Sequence, residues 1–204
     1  MALDTYANLQ ASIVRWAMRS GDTEFTAQVP DFISLCEKRF NRTLRVGGME
    51  KTASLVPNGS GVITLPADYL EYRSLSAGIY GYDALEMVAP DFEVGRYEGG
   101  GVGRRFSISG NLLQTYPAAN GPIALTYFAK VPALSDANPT NWLLASAPDL
   151  YLYGSLLEAA PYMEEDARAS VWKTYYDTAM ADLEASDVSA RYANGRVRVL
   201  GCRP

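Results

Sequence analysis

The chain has 204 residues, 48% of them hydrophobic and 20% charged, with 18 Lys+Arg against 23 Asp+Glu. That length suits one or two compact domains with an ample core, and the composition is that of a folded chain. There is no histidine, which removes Ser-His-Asp and Cys-His catalysis, the commonest general base and almost every zinc-enzyme site, so no enzyme, metal or cofactor is expected.

The first predicted element is a helix capped by Asp4, with Tyr6, Leu9, Ile13 and Trp16 as its apolar stripe. Ser20-Gly21-Asp22 ends it. Pro30 then suits the first turn of a second helix, whose Phe32, Cys36, Phe40 and Leu44 form a four-residue ladder, closed by Gly47-Gly48. From about 49 to 130 the pattern shifts to short runs between turn residues. Segments 52–56 and 62–65, either side of Pro57-Asn58-Gly59-Ser60-Gly61, read as a hairpin. Segments 69–75 and 82–88 are further strands, and 89–97 is a helical turn or two. Arg105–Ser109 and Leu112–Tyr116 flank Gly110-Asn111, a two-residue connection suited to a hairpin. Ile123 to Val131 alternates, with Ile123, Leu125, Tyr127 and Ala129 on one face. Short connections predict antiparallel pairing.

The chain then returns to helix. Pro148-Asp149 opens an almost wholly apolar helix to Ala160, ended by Pro161. A long helix from Glu164 to Val188 follows, with Val171, Tyr175, Ala179 and Leu183 on one face and Glu164, Glu165 and Asp166 complementing its dipole. The expected fold is therefore α+β: a helical bundle built from the N- and C-terminal helices, an inserted antiparallel β-rich domain and an extended C-terminal arm. The boundaries read as 1–47, 48–130, 131–190 and a basic tail at 191–204, with 131–190 packing on 1–47.

Charge is uneven. Residues 131–190 carry two basic and ten acidic side chains, whereas the last fourteen carry four arginines and no acid. Such asymmetry points to a separate partner for the tail. In the tail Arg196-Val197-Arg198-Val199-Leu200 alternates basic and apolar, as an arm that adds to a sheet edge or lies along a surface would. Lys38, Arg39, Arg42 and Arg45 form a basic helical stripe, which suits pairing with the acidic C-terminal helices within or between subunits, with a solvated face and a contact to nucleic acid as the other readings. Glu158, inside the apolar helix, needs a cationic partner such as an arginine of the second helix. Gly99-Gly100-Gly101-Val102-Gly103 lacks the ending of a phosphate loop and reads as a flexible loop. Tyr151, Tyr153, Tyr162, Tyr175 and Tyr176 suit either a core edge or a subunit interface. Cys36 reads as a buried thiol and Cys202 as a free one in the tail. With a net charge of −5, a generic nucleic-acid coat is not expected. No apolar run nears the roughly 20 residues that span a bilayer, and MALDTYANLQ lacks the pattern of a signal peptide, so a soluble protein without a membrane partner is expected.

Thr140-Asn141-Trp142-Leu143-Leu144 and the stretch Ala147 to Tyr162 (APDLYLYGSLLEAAPY) resemble the head-to-tail adaptor, or head-completion, proteins of tailed bacteriophages. The helix from Tyr6 to Trp16, Pro30-Asp31-Phe32-Ile33 and Leu65-Pro66-Ala67-Asp68-Tyr69-Leu70 are similar too. The resemblance covers most of residues 3–190. It implies a structural virion protein at the head–tail junction, assembled in the host bacterial cytoplasm. Such a protein docks beneath the portal protein as a ring of about twelve copies. It continues the DNA channel, passes double-stranded DNA without reading its sequence and receives a tail or nozzle protein below. The arm of Arg191, Arg196, Val197, Arg198, Val199 and Leu200 would then dock on the portal, and Asp182, Glu184 and Asp187 are candidate channel-facing acids. The alternative is a small carbohydrate- or peptide-binding module that uses aromatics of the β-rich domain such as Tyr80, Tyr82 and Tyr97. A carboxylate-only hydrolase built on Glu158 or Glu164 is a third reading.

Overall fold

The computed structural model describes residues 3–77, 83–89, 104–164 and 166–192. The expected segment 89–97 (beyond Ala89), the loop Gly99 to Gly103, Tyr80, Tyr82, Tyr97, Glu165, Cys202 and the tail from 193 onward lie outside them. The chain divides into a unit of residues 1–48 and 131–204 and a unit of residues 49–130.

The first unit is helical. Helix α1 (Tyr6–Trp16) is capped by Thr5, whose Oγ1 accepts from Asn8 N, and not by Asp4, which instead bonds the Asn8 side chain. Tyr6, Leu9 and Ile13 are buried as expected, whereas Trp16 lies at the end of the stripe and stays 49% exposed. Helix α2 (Thr23–Thr43) starts well before the predicted point. Asp22 caps it by accepting from Phe25 N at 2.9 Å, and Pro30 falls inside it. Burial of Phe25 and Val29 extends the apolar stripe upstream, which offsets the hydrogen bond that the proline cannot make. The ladder Phe32, Cys36, Phe40 and Leu44 is buried throughout.

After residue 130 the chain re-enters this unit. A short helix α3 (Trp142–Ser146), capped by Asn141, precedes α4 (Pro148–Met163) and α5 (Asp166–Tyr192). Pro148 sits at the first turn of α4, where its missing N–H costs nothing. Pro161 does not end α4, because in the last turn it forfeits a single bond. The helix runs on to buried Met163 and stops at Glu164, whose left-handed φ of 57° turns the chain. Glu164 is thus the cap of α4 and not part of the first turn of α5. The buried face of α5 is Trp172, Tyr176 and Ala179, with Val171 and Tyr175 each 51% exposed. A strict four-residue repeat advances about 400° per step, a drift of about 40°, so the predicted stripe starts off the buried face at Val171 and Tyr175 and reaches it only at Ala179.

At the crossing of α2, α4 and α5, Gly154 is what lets the helices meet. A Cβ there would collide with Cys36 Sγ and lie 3.1 Å from Tyr176 Cε2.

The second unit holds two four-stranded sheets. One has the order β1-β8-β3-β4, from β1 (Glu50–Leu55), β8 (Ile123–Ala129), β3 (Tyr69–Ala77) and β4 (Asp83–Ala84), all antiparallel. The other has the order β2-β7-β6-β5, from β2 (Val62–Thr64), β7 (Leu112–Tyr116), β6 (Arg105–Ser109) and β5 (Glu86–Met87). The predicted β1–β2 hairpin does not form. β1 pairs with β8 and β2 with β7, so Pro57 to Gly61 carries the chain from one sheet to the other. The β6–β7 hairpin does form, and Gly110, at φ 58°, takes its first central position. One pair departs from the antiparallel expectation: β5 runs parallel to β6, because the chain between Met87 and Arg105 is long enough for a crossover. Both sheets feed one core that includes Ile63, Leu75, Phe106, Leu113, Ile123 and Leu125. On its margin Asp68 accepts from Lys51 Nζ at 2.7 Å and Tyr127 OH at 2.9 Å. These bonds, Lys51 first, hold the Asp68 carboxyl below its usual range, while burial, then Asp68, pushes Tyr127 up to about 12.

Gly154→Ala should lower stability by about 1–3 kcal/mol through overpacking. In equilibrium urea unfolding, Cys36→Ala in the same chain should recover part of that loss, and equal costs in both backgrounds would refute the contact.

Candidate functional site

Asn141 and Tyr151, from two of the stretches that carry the family resemblance, meet at a buried polar junction in the helical unit. Glu37 of α2 is 6% exposed, and its Oε1 accepts from Leu134 N at 2.8 Å and from the Tyr151 hydroxyl at 3.2 Å. Tyr151 of α4 in turn accepts from Asn141 Nδ2 at 2.7 Å. Asn141 donates to Pro132 O at 2.7 Å and caps α3 through Leu144 N at 2.8 Å. One turn further along α2, Asn41 Oδ1 accepts from Val131 N at 2.9 Å, and α1 joins through Tyr6 N to Pro139 O at 2.7 Å. The segment 131–141, with no regular structure of its own, is thereby fixed from α1, α2 and α4. Burial raises the Glu37 carboxyl above its ordinary value, against the two bonds that lower it. Burial, then the Glu37 charge, pushes the Tyr151 hydroxyl up.

A second polar contact ties α2 to α4. Arg39 Nε donates to Glu158 Oε1 at 2.7 Å, and the guanidinium lies 5.8 Å from the Tyr176 ring centroid. Glu158 therefore finds its arginine on the second helix. The basic stripe divides here. Arg39 is committed, Arg45 turns back onto Asn41 O and Leu44 O, and Lys38 and Arg42 are exposed with no ion pair among the described residues. Arg105, next to the glycine-rich loop, pairs with Glu86 at 3.2 Å. Among the described residues no group of three or more His, Cys, Asp or Glu side chains is placed to hold a metal ion.

The three candidate channel acids do not share a face. Asp187 is taken up inside the chain: Oδ1 accepts from Gly47 N at 2.6 Å and Oδ2 pairs with Arg191 Nε at 2.7 Å. Asp182 and Glu184 are exposed, on opposite flanks of the α5 core face by helical periodicity. Arg191 lies within α5 and is held by that pair, so it belongs to the helix and not to an extended arm. Arg196, Val197, Arg198, Val199 and Leu200 lie outside the described residues.

The tyrosines separate into two groups. Tyr151 and Tyr176 are core, whereas Tyr153 is half-buried and Tyr162 and Tyr175 are 51% exposed. Trp16 meets Tyr153 edge-on at 5.8 Å, and Tyr153 stacks on Tyr175 at 5.1 Å, which makes an aromatic ladder across α1, α4 and α5. No helix is long and apolar enough to cross a membrane among the described residues.

Sequence reasoning missed the junction. Its signal was present: Glu37 sits between Cys36 and Phe40 and one turn from Ile33, an acid on an apolar face. Asn141 was readable as a cap before Trp142-Leu143-Leu144.

Among the described residues, the polar contacts of Glu37, Asn141, Tyr151, Arg39 and Glu158 join helices to one another. The family model described as SU10 adaptor protein matches residues 4–199. The chain belongs to this family, whose members are phage head-to-tail adaptors, and is a structural component of the virion at the head–tail junction. No curated protein matches the chain.

Glu37→Ala should cost about 1–3 kcal/mol, because it strips the acceptor from Leu134 N and the Tyr151 hydroxyl. Glu37→Gln keeps an acceptor and should be far milder. The folded-state carboxyl titrates above 4.5. Its contribution to stability is therefore complete below that value and is lost as pH rises through the raised one. Relative to the wild type, Glu37→Gln should gain stability as pH climbs from 4.5, a trend that denaturant titrations at several pH values would check.

Proposed function

We propose that this adaptor docks beneath the portal protein as a ring of about twelve copies and continues the DNA channel towards a tail or nozzle protein. The observation that carries this reading is the family match over residues 4–199. The physical character of the chain agrees with it. A helical unit closed by residues from both ends of the described chain leaves aromatic and charged faces open, and its polar contacts are spent on joining elements.

The segment Arg196 to Leu200 serves as the portal-docking arm. Alternation of arginine with valine gives an extended strand one cationic and one apolar face, so main-chain pairing and charge add. The lumen passes double-stranded DNA without sequence-specific contact. A net charge of −5 per copy keeps phosphates from sticking. Of the three acids, Glu184 is the one left to face the lumen, since Asp187 is bound to Gly47 and Arg191 and Asp182 lies on the flank of the aromatic ladder.

Removal of residues 193–204 should leave the α2–α4–α5 packing and its unfolding transition intact and abolish attachment to DNA-filled heads. Cosedimentation of the truncated chain with heads that lack the adaptor tests this. Retention at the wild-type level would refute the docking arm.

A further inference from the structure

We infer that neighbouring copies join head to tail, with the α2 face of Leu35, Lys38 and Arg42 seated on the aromatic face that α1, α4 and α5 present on the next copy. This rests on the ring proposed above and assigns its interface.

The receiving face is apolar and open. Tyr153 forms its floor, half-buried on α4, and Trp16, Val171 and Tyr175 stand around it at 49%, 51% and 51% exposure. Aromatic side chains of this kind carry much of the energy at protein interfaces. On α5 the residues Val171, Tyr175 and Asp182 fall within about 40° of one another, so Asp182 extends the same stripe. Asp149 lies one turn before Tyr153 on the same side of α4 and is exposed. Because α4 and α5 are antiparallel, with Tyr153 on Tyr175 and Gly154 beside Tyr176, both acids sit at one end of the face. Arg168, over the Trp172 ring at 5.6 Å, sits at the other end of α5. Arg15, beside Trp16, is turned back along α1, donating to Ala11 O at 3.1 Å and to Ser12 Oγ at 3.4 Å.

The inserting face is its complement. Asp31, Leu35, Lys38 and Arg42 follow one another at four, three and four residues, all exposed, with Leu35 at 44%. The charge order along α2 is acid, leucine, base, base. Along α5 it is base, valine and tyrosine, acid. From Leu35 to Arg42 is about 10 Å along the helix, and from Tyr175 to Asp182 is the same. With α2 of one copy parallel to α5 of the next, Leu35 meets the tyrosines, Lys38 and Arg42 meet Asp149 and Asp182, and Asp31 meets Arg168. The two faces are different patches of one molecule, so the contact is heterologous and repeats around a closed ring.

The test uses the full chain carrying Leu35→Cys and Tyr175→Cys, with Cys202→Ser, assembled on DNA-filled heads that lack the adaptor and oxidised briefly. A ladder of disulfide-linked dimers, trimers and larger species is expected, and either single cysteine alone should give none. Full adaptor occupancy on the heads without a ladder would overturn this interface and leave the adaptor reading standing. Failure of the unsubstituted chain to occupy heads would overturn that reading and this interface with it. A charge exchange gives an independent measure. Lys38→Glu with Arg42→Glu should cut occupancy roughly tenfold or more, as should Asp149→Lys with Asp182→Lys. All four together should restore it, whereas occupancy unchanged by either pair would overturn the proposed contact.

Discussion

A single buried carboxylate organises the helical unit. Glu37 stands on the face of α2 that also carries Ile33, Cys36 and Phe40, and a charge in that setting is costly unless every lone pair is used. Its partners come from elements far apart in sequence: the backbone of Leu134, and Tyr151 of α4, which passes the connection to Asn141. Apolar packing alone tolerates small slips of helix against helix, but a donor–acceptor chain does not, since a slip leaves buried groups unpaired. The junction therefore sets the register of α2 on α4 and the path of the segment between the second unit and α3. Gly154 and the Arg39–Glu158 pair extend the same constraint along α4.

How far the fold could be read depended on how wide each buried face is. The four-residue ladder on α2 succeeded because that face is broad: Ile33 and Glu37 are buried beside Cys36 and Phe40, so a drifting stripe stays on it. The same repeat failed on α5, whose buried stripe of Trp172, Tyr176 and Ala179 is narrow. Prolines misled for a related reason. A local penalty of one hydrogen bond is overridden where flanking side chains such as Val29 and Met163 are buried. The strands of the second unit were visible in their alternation, β8 most clearly. Their partners were not, because pairing β1 with β8 depends on a residue separation that no local pattern encodes.

For the site, the polar residues were legible and their company was not. The need of Glu158 for an arginine follows from its apolar neighbours, and α2 provides it in Arg39. The basic stripe was read as a unit, yet side-chain reach divides it into committed and open members. Asp187 looked like one of several solvated acids. Only the fold brings Gly47 N within 2.6 Å of it.

The division of the chain has a temporal side. The helical unit needs residues from both ends, while residues 49–130 close on themselves. During translation α1 and α2 emerge first, and the apolar surface of Phe25, Ile33 and Phe40 must wait for α4. All strands of both sheets come from this interval, so their core needs nothing from α4 or α5. Phe40 and its neighbours thus have no cover until α4 has been made, and a pause in synthesis before Tyr151 would lengthen that exposure.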